Sequence, residues 1–207
     1  MNFDRKTFFE HYRTVFGPLK QELVNALEFL LGKIEQDPRW PQGDTGIRQI
    51  AYALATFKWE TAHTFEPINE FGTAARFNKL YGPATAVGRR LGNTKTGDGA
   101  LFHGRGYVQL TGRSNYAKAG RLTGEDLLND PDRALVPEVA YQIAVQGMID
   151  GWFTGRKLSQ FFKDGQPPQY DDARTIINGH DQAAKIADIA RRMAEILSAS
   201  RDAAPQS

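Results

Sequence analysis

The sequence predicts a mainly helical protein with one small β element. Apolar side chains recur at spacings of three and four from Leu19 to Ile34, which is the period of an amphipathic helix. The run IRQIAYALATFKWETAH is mostly apolar and contains neither glycine nor proline, so it predicts a second long helix. By contrast, GYVQLTG at residues 106–112 alternates β-forming residues between glycines. The predicted fold class is therefore mainly α, with a β-hairpin near 103–112.

Helix-breaking residues set the limits of the other elements. Gly17-Pro18 separates the first two helices, and Glu66-Pro67 ends the third because a residue before proline avoids the α region. Residues 82–106 contain seven glycines and predict a long irregular segment, a kind of loop that often carries function. The predicted helices span residues 4–16, 18–36, 45–64, 69–80, 137–153, 156–163, 171–178 and 181–199.

The length and patterning of the chain predict a single domain over residues 1–207. This length suits one well-packed core, and neither a repeat nor a low-complexity segment marks a boundary. We expect N-terminal helices at 1–44 to pack on a core at 45–199, followed by a tail at 200–207. A monomer is the default expectation for such a domain.

The composition argues against several functional classes. A content of 41% hydrophobic and 24% charged residues is typical of globular proteins. The net charge of +2 and pI of about 8.8 suit an anionic surface, but no basic run indicates nucleic-acid binding. The absence of cysteine excludes disulfides and thiolate chemistry. The N-terminus lacks the apolar core of a secretory signal, and no apolar run approaches the roughly 20 residues that span a bilayer.

Three glutamates lie close together in WETAHTFEPINE, residues 59–70. Glu60 lies near the end of an apolar helix beside Trp59, and burial against aromatic rings favours the protonated carboxyl group that a general acid needs. Glu70 follows a turn at Pro67, which reverses the chain, so the two residues are candidates for an acid–base pair. Glu66 is a rival for the second position, and surface charges at a helix end would give the same pattern.

His63 is a candidate metal ligand, because Glu60-x-x-His63 has the one-turn spacing of carboxylate-bridged metal sites. Such metal sites need a second pair, and no other ExxH or HExxH motif occurs. Neither a GxSxG elbow nor a dinucleotide or phosphate loop is present. The sequence therefore predicts no metal and no cofactor.

A second stretch, FHGRGYVQLTGRSNYAKAG at residues 102–120, combines glycines with polar and aromatic side chains. Alternation in a strand would place Gln109 and Thr111 on one face. Amides, hydroxyls and aromatic planes are the groups that a sugar-binding groove uses, although a hairpin with one polar, solvent-facing side has the same composition. The candidate binding residues are Tyr107, Gln109, Thr111, Asn115 and Tyr116.

Together these motifs resemble the catalytic domain of glycoside hydrolase family 19, a chitinase-like fold also used by many phage endolysins. FHGRGYVQLTGRSNY resembles the family signature GRG-x-x-Q-[LI]-[ST]-x-x-x-N-Y. WETA resembles the segment with the first catalytic glutamate, and IINGH at residues 176–180 resembles a later I-I-N-G motif. The resemblance covers about residues 45–195 and implies a mainly α (α+β, lysozyme-like) fold with a substrate groove.

The resemblance also implies roles for individual residues. Glu60 matches the general acid, and Glu70 takes the second carboxylate position by its place in the endolysin-like subset, in which the two glutamates are close in sequence. Thr111 takes the Ser/Thr position that helps to hold the catalytic water. The matching sugar-binding positions are Gln109, Asn115 and Asn178.

The expected substrate follows from the endolysin-like subset. In plant chitinases the two glutamates lie further apart and a histidine precedes the first, where this chain has Trp59. The subset implies inverting hydrolysis of β-1,4 bonds between the amino sugars of peptidoglycan. Alternatives that stay open are a chitinase acting on chitin oligomers, a non-catalytic glycan-binding module, and an effector delivered into rival bacteria.

The same resemblance implies where the protein acts. We expect a lysis enzyme that stays in the host bacterial cytoplasm until a holin-type protein opens the membrane to the cell wall. Its expected partner is the peptidoglycan glycan strand, with neither nucleic acid nor stable membrane insertion. No separate wall-binding domain is predicted.

Overall fold

The computed structural model describes residues 1–202 and consists of two compact units. One unit is formed by Met1–Phe65 and the chain from Gly147 onward, and the other by Glu66–Gln146. The single domain predicted over 1–207 stays a prediction, and most of the predicted tail at 200–207 lies outside the described residues.

The described chain is mainly helical, which confirms the predicted fold class. Two-residue strands pair antiparallel, with Ile68 opposite Gly106 and Asn69 opposite Arg105. Two 3-10 turns lie at Pro131–Leu135 and Arg174–Ile176. In chain order the elements are α1 (Arg5–Phe16), α2 (Gln21–Gln36), α3 (Gly43–Glu60), β1 (Ile68–Asn69), α4 (Ala74–Tyr81), α5 (Ala86–Arg90), α6 (Asp98–Leu101), β2 (Arg105–Gly106), α7 (Arg113–Thr123), α8 (Pro137–Asp150), α9 (Leu158–Phe161), α10 (Tyr170–Ala173) and α11 (Ala183–Ser200).

The first unit is built around α3, which packs along α11. Nearly every side chain of α3 from Thr45 to Lys58 is buried, as its apolar sequence predicts. α11 is amphipathic and turns one apolar face inward. Ile186, Ala190, Met193 and Leu197 form much of that face. Because both helices are long and buried, the carboxyl end of α3 has a fixed position in the unit.

The second unit has its own apolar core, which lies against α7 and α8. Its buried members come from the segment after α6, from α7, from the connection between α7 and α8, and from α8, so the signature stretch is anchored on both sides. They are Phe102, Leu110, Tyr116, Ala119, Leu127, Ala134, Val139 and Ile143. Among residues 1–202, no helix combines the length and apolarity required to cross a bilayer.

The β element differs from the predicted strand at 106–112. The strand itself is only Arg105–Gly106, and an isolated bridge joins Arg105 to Leu110, so the chain turns tightly between them. Gln109 has a φ of 54°, a left-handed conformation that a regular strand cannot contain. The prediction that Gln109 and Thr111 share one strand face was therefore wrong.

A buried ion pair connects α6 to α7 in the second unit. Asp98 accepts hydrogen bonds from the backbone N–H groups of Thr94 and Lys95 at 2.8 and 2.9 Å and from two nitrogens of Arg113. The Arg113 guanidinium and these N–H groups lower the pKa of Asp98 from 3.8 to about 2. The ionised carboxylate therefore stabilises this unit.

We expect Asp98→Asn to lower the free energy of unfolding by ~2 kcal/mol at pH 7. Because the folded pKa lies below the unfolded value, the contribution is present above pH 3.8 and is lost as the pH falls towards 2. Urea unfolding of both proteins at pH 7 and pH 3 measures this difference. The difference should shrink to about half at pH 3, because full loss requires a pH below the folded pKa of about 2, and a constant gap would contradict the assignment.

Candidate active site

Glu60 is the last residue of α3 and forms an ion pair with Arg174. Arg174 Nη1 donates to Glu60 Oε1 at 2.7 Å, and Arg174 Nε donates to the carbonyl of Asp181 at 3.1 Å. The side chains are 17% and 5% exposed, so the contact is shielded from solvent but Glu60 remains accessible. Glu60 is thus held by a buried guanidinium, a contact that the sequence did not predict.

The segment that carries Arg174 is fixed to α3 by a second contact. Tyr52 lies two helical turns before Glu60, and its hydroxyl donates to the carbonyl of Ala173 at 2.7 Å. Arg174 begins a 3-10 turn immediately after α10. The Asn178 N–H donates to the carbonyl of Arg174 at 3.1 Å, while the Asn178 side chain is exposed and accepts from Gly179 N–H. Asn178 therefore belongs to the same segment as the partner of Glu60.

The two oxygens of Glu60 have different surroundings. Oε1 accepts from Arg174, whereas no described residue hydrogen-bonds to Oε2. Glu60 therefore has one anchored oxygen and one oxygen that can carry or release a proton.

His63 lies just beyond α3 and contacts Trp59 edge-on, with ring centroids 5.9 Å apart. Partial burial and the positive charge of Lys58 lower the pKa of His63, so its imidazole is neutral at pH 7. The Lys185 ammonium lies over the Trp59 ring, 5.5 Å from the ring centre. Among residues 1–202, His, Asp and Glu side chains form no group that could hold a metal ion.

Glu70 follows β1 in the second unit and accepts hydrogen bonds on both carboxylate oxygens. The Tyr81 hydroxyl donates to Oε1 at 2.9 Å, and the Gly104 N–H donates to Oε2 at 3.1 Å. The Glu70 N–H donates in turn to the Gly104 carbonyl at 2.8 Å, which continues the pairing of β1 with β2. Burial and the Glu70 carboxylate raise the pKa of Tyr81 to about 12, so this phenol remains a donor at neutral pH.

Gly104 allows the backbone to approach this carboxylate closely. A Cβ at position 104 would lie 2.8 Å from Gln109 Oε1 and 3.1 Å from Glu70 Oε2. Any larger residue would therefore displace one of the two side chains. The same distances place the Gln109 amide near Glu70.

Thr111 and Asn115 continue this polar cluster towards α7. The Thr111 hydroxyl donates to the Gln109 carbonyl at 2.8 Å, and Asn115 Nδ2 donates to the Thr111 carbonyl at 2.7 Å. Both side chains are partly exposed. The second unit therefore brings together Glu70, Gln109, Thr111 and Asn115.

Tyr107 and Tyr116 do not fit the sugar-stacking role predicted for them. They are 1% and 0% exposed, so neither ring presents a face to a ligand. The Tyr116 hydroxyl accepts from Arg105 Nη1 at 2.9 Å and donates to the His103 carbonyl at 2.8 Å. It is a core residue that fixes the loop before β2. Aromatic residues in a motif cannot be assigned to a surface before their burial is known.

Glu66 is exposed at the start of the second unit. Its negative charge and burial of the phenol both raise the pKa of Tyr107, burial being the larger cause. Glu66 thus lies near Tyr107, whereas Glu70 is the glutamate that contacts Gly104 in the signature stretch.

Two residues of the site were missed from the sequence. Tyr81, at the end of α4, is separated from Glu70 by a whole helix, and Arg174 lies 114 positions after Glu60. The one local signal for Arg174 is its place two residues before IINGH, the motif that had already been singled out.

Comparison with known proteins agrees with this mainly helical fold. The family profile described as chitinase class I, glycoside hydrolase family 19, matches residues 41–162, which is more than half of the chain. The chain belongs to this family, as its signature motifs predicted.

Several curated relatives are plant endochitinases. Acidic endochitinase Q of Nicotiana tabacum is 55% identical over 85 residues, which are 40% of this chain and 30% of that protein. Endochitinase A2 of Pisum sativum is 27% identical over 156 residues, or 67% of this chain and 47% of that protein. The chain spans less than half the length of the curated relatives it matches.

Solved structures share the lysozyme-like, mainly α fold. Chitinase C from Streptomyces griseus HUT6037 aligns with a TM-score of 0.52 at 19% identity, covering 97% of this chain and 95% of that one. A bacterial family 19 chitinase aligns with a TM-score of 0.53 at 18% identity, covering 94% of each chain. At this level of identity the likeness concerns the fold alone.

Proposed function

We propose that this protein hydrolyses β-1,4 bonds between the N-acetylated amino sugars of peptidoglycan by an inverting mechanism. The observation that carries the proposal is the difference between its two carboxyl groups. Glu70 accepts hydrogen bonds on both oxygens, whereas Glu60 has one anchored and one unbonded oxygen. Inverting glycosidases need one carboxyl group that gives a proton and another that takes one.

Glu60 is the general acid in this proposal. Its unbonded Oε2 would carry the proton and pass it to the glycosidic oxygen as the bond to the leaving sugar breaks. Arg174 keeps Oε1 in place and stabilises the carboxylate that remains after proton transfer. Arg174 is therefore a positioning residue.

Glu70 is the general base in this proposal, since hydrogen bonds from the Tyr81 hydroxyl and the Gly104 N–H orient both of its oxygens. It would remove a proton from the attacking water, which Thr111 helps to hold with the oxygen lone pairs that its own donated bond leaves unused. Gln109, Asn115 and Asn178 would supply amide groups to the sugar hydroxyls and acetamides.

The Arg174→Gln variant tests the positioning role. We expect kcat to fall by about tenfold to a hundredfold with little change in KM, because a misplaced general acid slows chemistry more than binding. Loss of the pair should also cost ~2 kcal/mol of stability, since Glu60 remains partly exposed. Steady-state kinetics and thermal unfolding measure both effects. Arg174→Lys, which keeps the charge, should recover part of kcat, and equal loss in both variants with normal stability would contradict this role.

Peptidoglycan is proposed because the two glutamates lie only ten residues apart and Trp59 precedes Glu60, features that separate the chain from plant-type chitinases. The weakly basic pI of about 8.8 also suits an anionic cell wall. Release to the wall by a holin-type protein and a role in host cell lysis belong to this proposal.

Chitin is the second candidate substrate, and the names of the relatives favour it, since they are endochitinases. The same carboxyl groups would act on a chain without lactyl ethers or peptide stems. The two substrates therefore differ in binding and not in chemistry.

A direct comparison of the two substrates decides between them. Purified peptidoglycan sacculi and chitin hexamer should be incubated with the wild-type protein and with Glu60→Gln, and fragments should be analysed by mass spectrometry. New reducing ends from sacculi, formed by wild type alone, would support a peptidoglycan hydrolase and identify the bond. Cleavage of chitin alone would transfer the assignment to a chitinase. If the folded wild-type protein cleaves neither substrate, a glycan-binding module becomes the better account.

A further inference from the structure

A surface pocket of about 410 Å³ lies within the first unit, away from Glu60. It is formed by the first turns of α3, the start of α10 and the C-terminal half of α11. Arg48 and Glu60 are twelve residues apart on α3, which corresponds to about 18 Å along the helix axis. The polar residues that line the pocket include Asp44, Arg48, Tyr170, Arg191 and Arg201.

Three arginines give this pocket an excess of positive charge. Arg48 donates to the carbonyl of Gln166 at 2.8 Å and has no carboxylate partner among residues 1–202. Arg191 pairs with Asp171, and Arg201 makes only a long contact of 3.5 Å with Asp44. Asp44 is the one carboxylate in the lining, against three guanidinium groups.

The hydroxyl of Tyr170 has no hydrogen-bond partner among the described residues, although Tyr170 is only 3% exposed. A buried hydroxyl without a partner costs free energy, and such groups are rare in folded proteins. Burial raises the pKa of Tyr170 to about 12 against the opposing charges of Arg48 and Arg191, so the phenol remains a donor at neutral pH, and both arginines line the same pocket. Its ring is held in place against Phe162, with centroids 5.3 Å apart.

We propose that this pocket binds a phosphate group, with the Tyr170 hydroxyl and the guanidinium groups of Arg48, Arg191 and Arg201 as donors. These donors come from three separate segments, so they can approach a tetrahedral anion from several sides. Arginine also matches phosphate oxygens better than a lysine point charge does. The bound anion would satisfy the Tyr170 hydroxyl and balance the unpaired Arg48.

The phosphate can be a free ion or an ester on a cell-envelope polymer, because both offer the same oxygens. An ester would give the protein a second attachment point to its target, separate from the glutamates. Phosphate binding in this pocket does not depend on glycan hydrolysis, so either proposal can fail without the other.

Thermal unfolding with and without orthophosphate, at constant ionic strength set with chloride, tests the site. Phosphate should raise the Tm of the wild-type protein, since a ligand that binds only the folded state stabilises it. Without phosphate, Tyr170→Phe should be as stable as wild type or more stable, because the unpartnered hydroxyl is removed and the ring is kept. With phosphate, its Tm should rise less, and calorimetric titration should give about tenfold weaker binding.

The double variant Arg48→Gln/Arg191→Gln should lose the phosphate effect, while Arg90→Gln, an exposed arginine of α5, should keep it in full. Titration with N-acetylglucosamine 6-phosphate separates the two sources. Tighter binding of the ester than of orthophosphate supports a polymer ligand, and the reverse order supports the free ion. The same phosphate effect in wild type, Tyr170→Phe and the double variant, or no effect in wild type, would overturn the proposal.

Discussion

Glu60→Gln is expected to reduce glycan hydrolysis by at least about a hundredfold, which is the range of a lost general acid. Glutamine has nearly the same shape, and its amide oxygen can still accept the 2.7 Å hydrogen bond from Arg174. It cannot donate a proton to the glycosidic oxygen. The loss should therefore appear in kcat, with KM changed little.

The leaving group of the substrate provides a sharper readout. A chitooligosaccharide with an aryl leaving group of low pKa needs little protonation, so Glu60→Gln should retain much more activity on it than on a natural glycan. A purely structural effect would reduce both activities equally. Equal reduction would therefore remove Glu60 from the role of general acid.

Stability measurements provide the matching control. Replacing the carboxylate leaves the Arg174 charge without a counterion, which should cost no more than ~2 kcal/mol while the hydrogen bond persists. Thermal unfolding and circular dichroism check that the variant is folded at the assay temperature. If the variant is unfolded there, the assay is repeated at a temperature where both proteins are folded.

Hydrophobic periodicity predicted the long helices of this protein well. α1, α3, α8 and α11 bury apolar residues at helical spacing, and this pattern is visible in the sequence because packing requires it. α7 was missed because its sequence, RSNYAKAGRLT, is mostly polar and buries only Tyr116 and Ala119. The position of this helix is set by tertiary contacts and by the preceding Gly112, which has a positive φ. A local sequence pattern does not set it.

The contacts of the candidate site were less predictable than its residues. The motifs identified Glu60, Glu70, Gln109, Thr111 and Asn115, and the structure gives the last four a shared polar cluster. The pairing of Glu60 with Arg174 depends on how α10 packs against α3, which no local spacing encodes. For the same reason, the sequence did not show that Tyr107 and Tyr116 are buried and cannot stack on a sugar.

Glu70→Gln and Glu66→Gln form a matched pair, because each changes one glutamate of the same short segment. We expect Glu70→Gln to lower kcat by at least about a hundredfold, since an amide cannot accept the proton of the attacking water. Glu66→Gln should keep activity within about twofold, as expected for a change at an exposed position. Reducing-end release from the preferred glycan measures both.

The surroundings of Glu70 explain why its replacement should act on chemistry. A glutamine can keep both contacts, because its amide oxygen can accept from the Gly104 N–H while its amide nitrogen donates to the Tyr81 hydroxyl oxygen. Tyr81→Phe removes one of these donors and keeps the carboxylate, so it separates the loss of a hydrogen bond from the loss of the base. We expect about a tenfold reduction for Tyr81→Phe, well short of that for Glu70→Gln.

The pH profile distinguishes the general base from a structural carboxylate. If Glu70 takes the proton from water, the fall of kcat/KM at acidic pH should flatten in Glu70→Gln and persist in Glu66→Gln. A strong loss in Glu66→Gln alone, with the acidic fall removed, would transfer the second catalytic position to Glu66. The hydrogen bonds from Gly104 and Tyr81 to Glu70 would then have a structural role in the second unit. The two catalytic glutamates would be six residues apart in the sequence instead of ten.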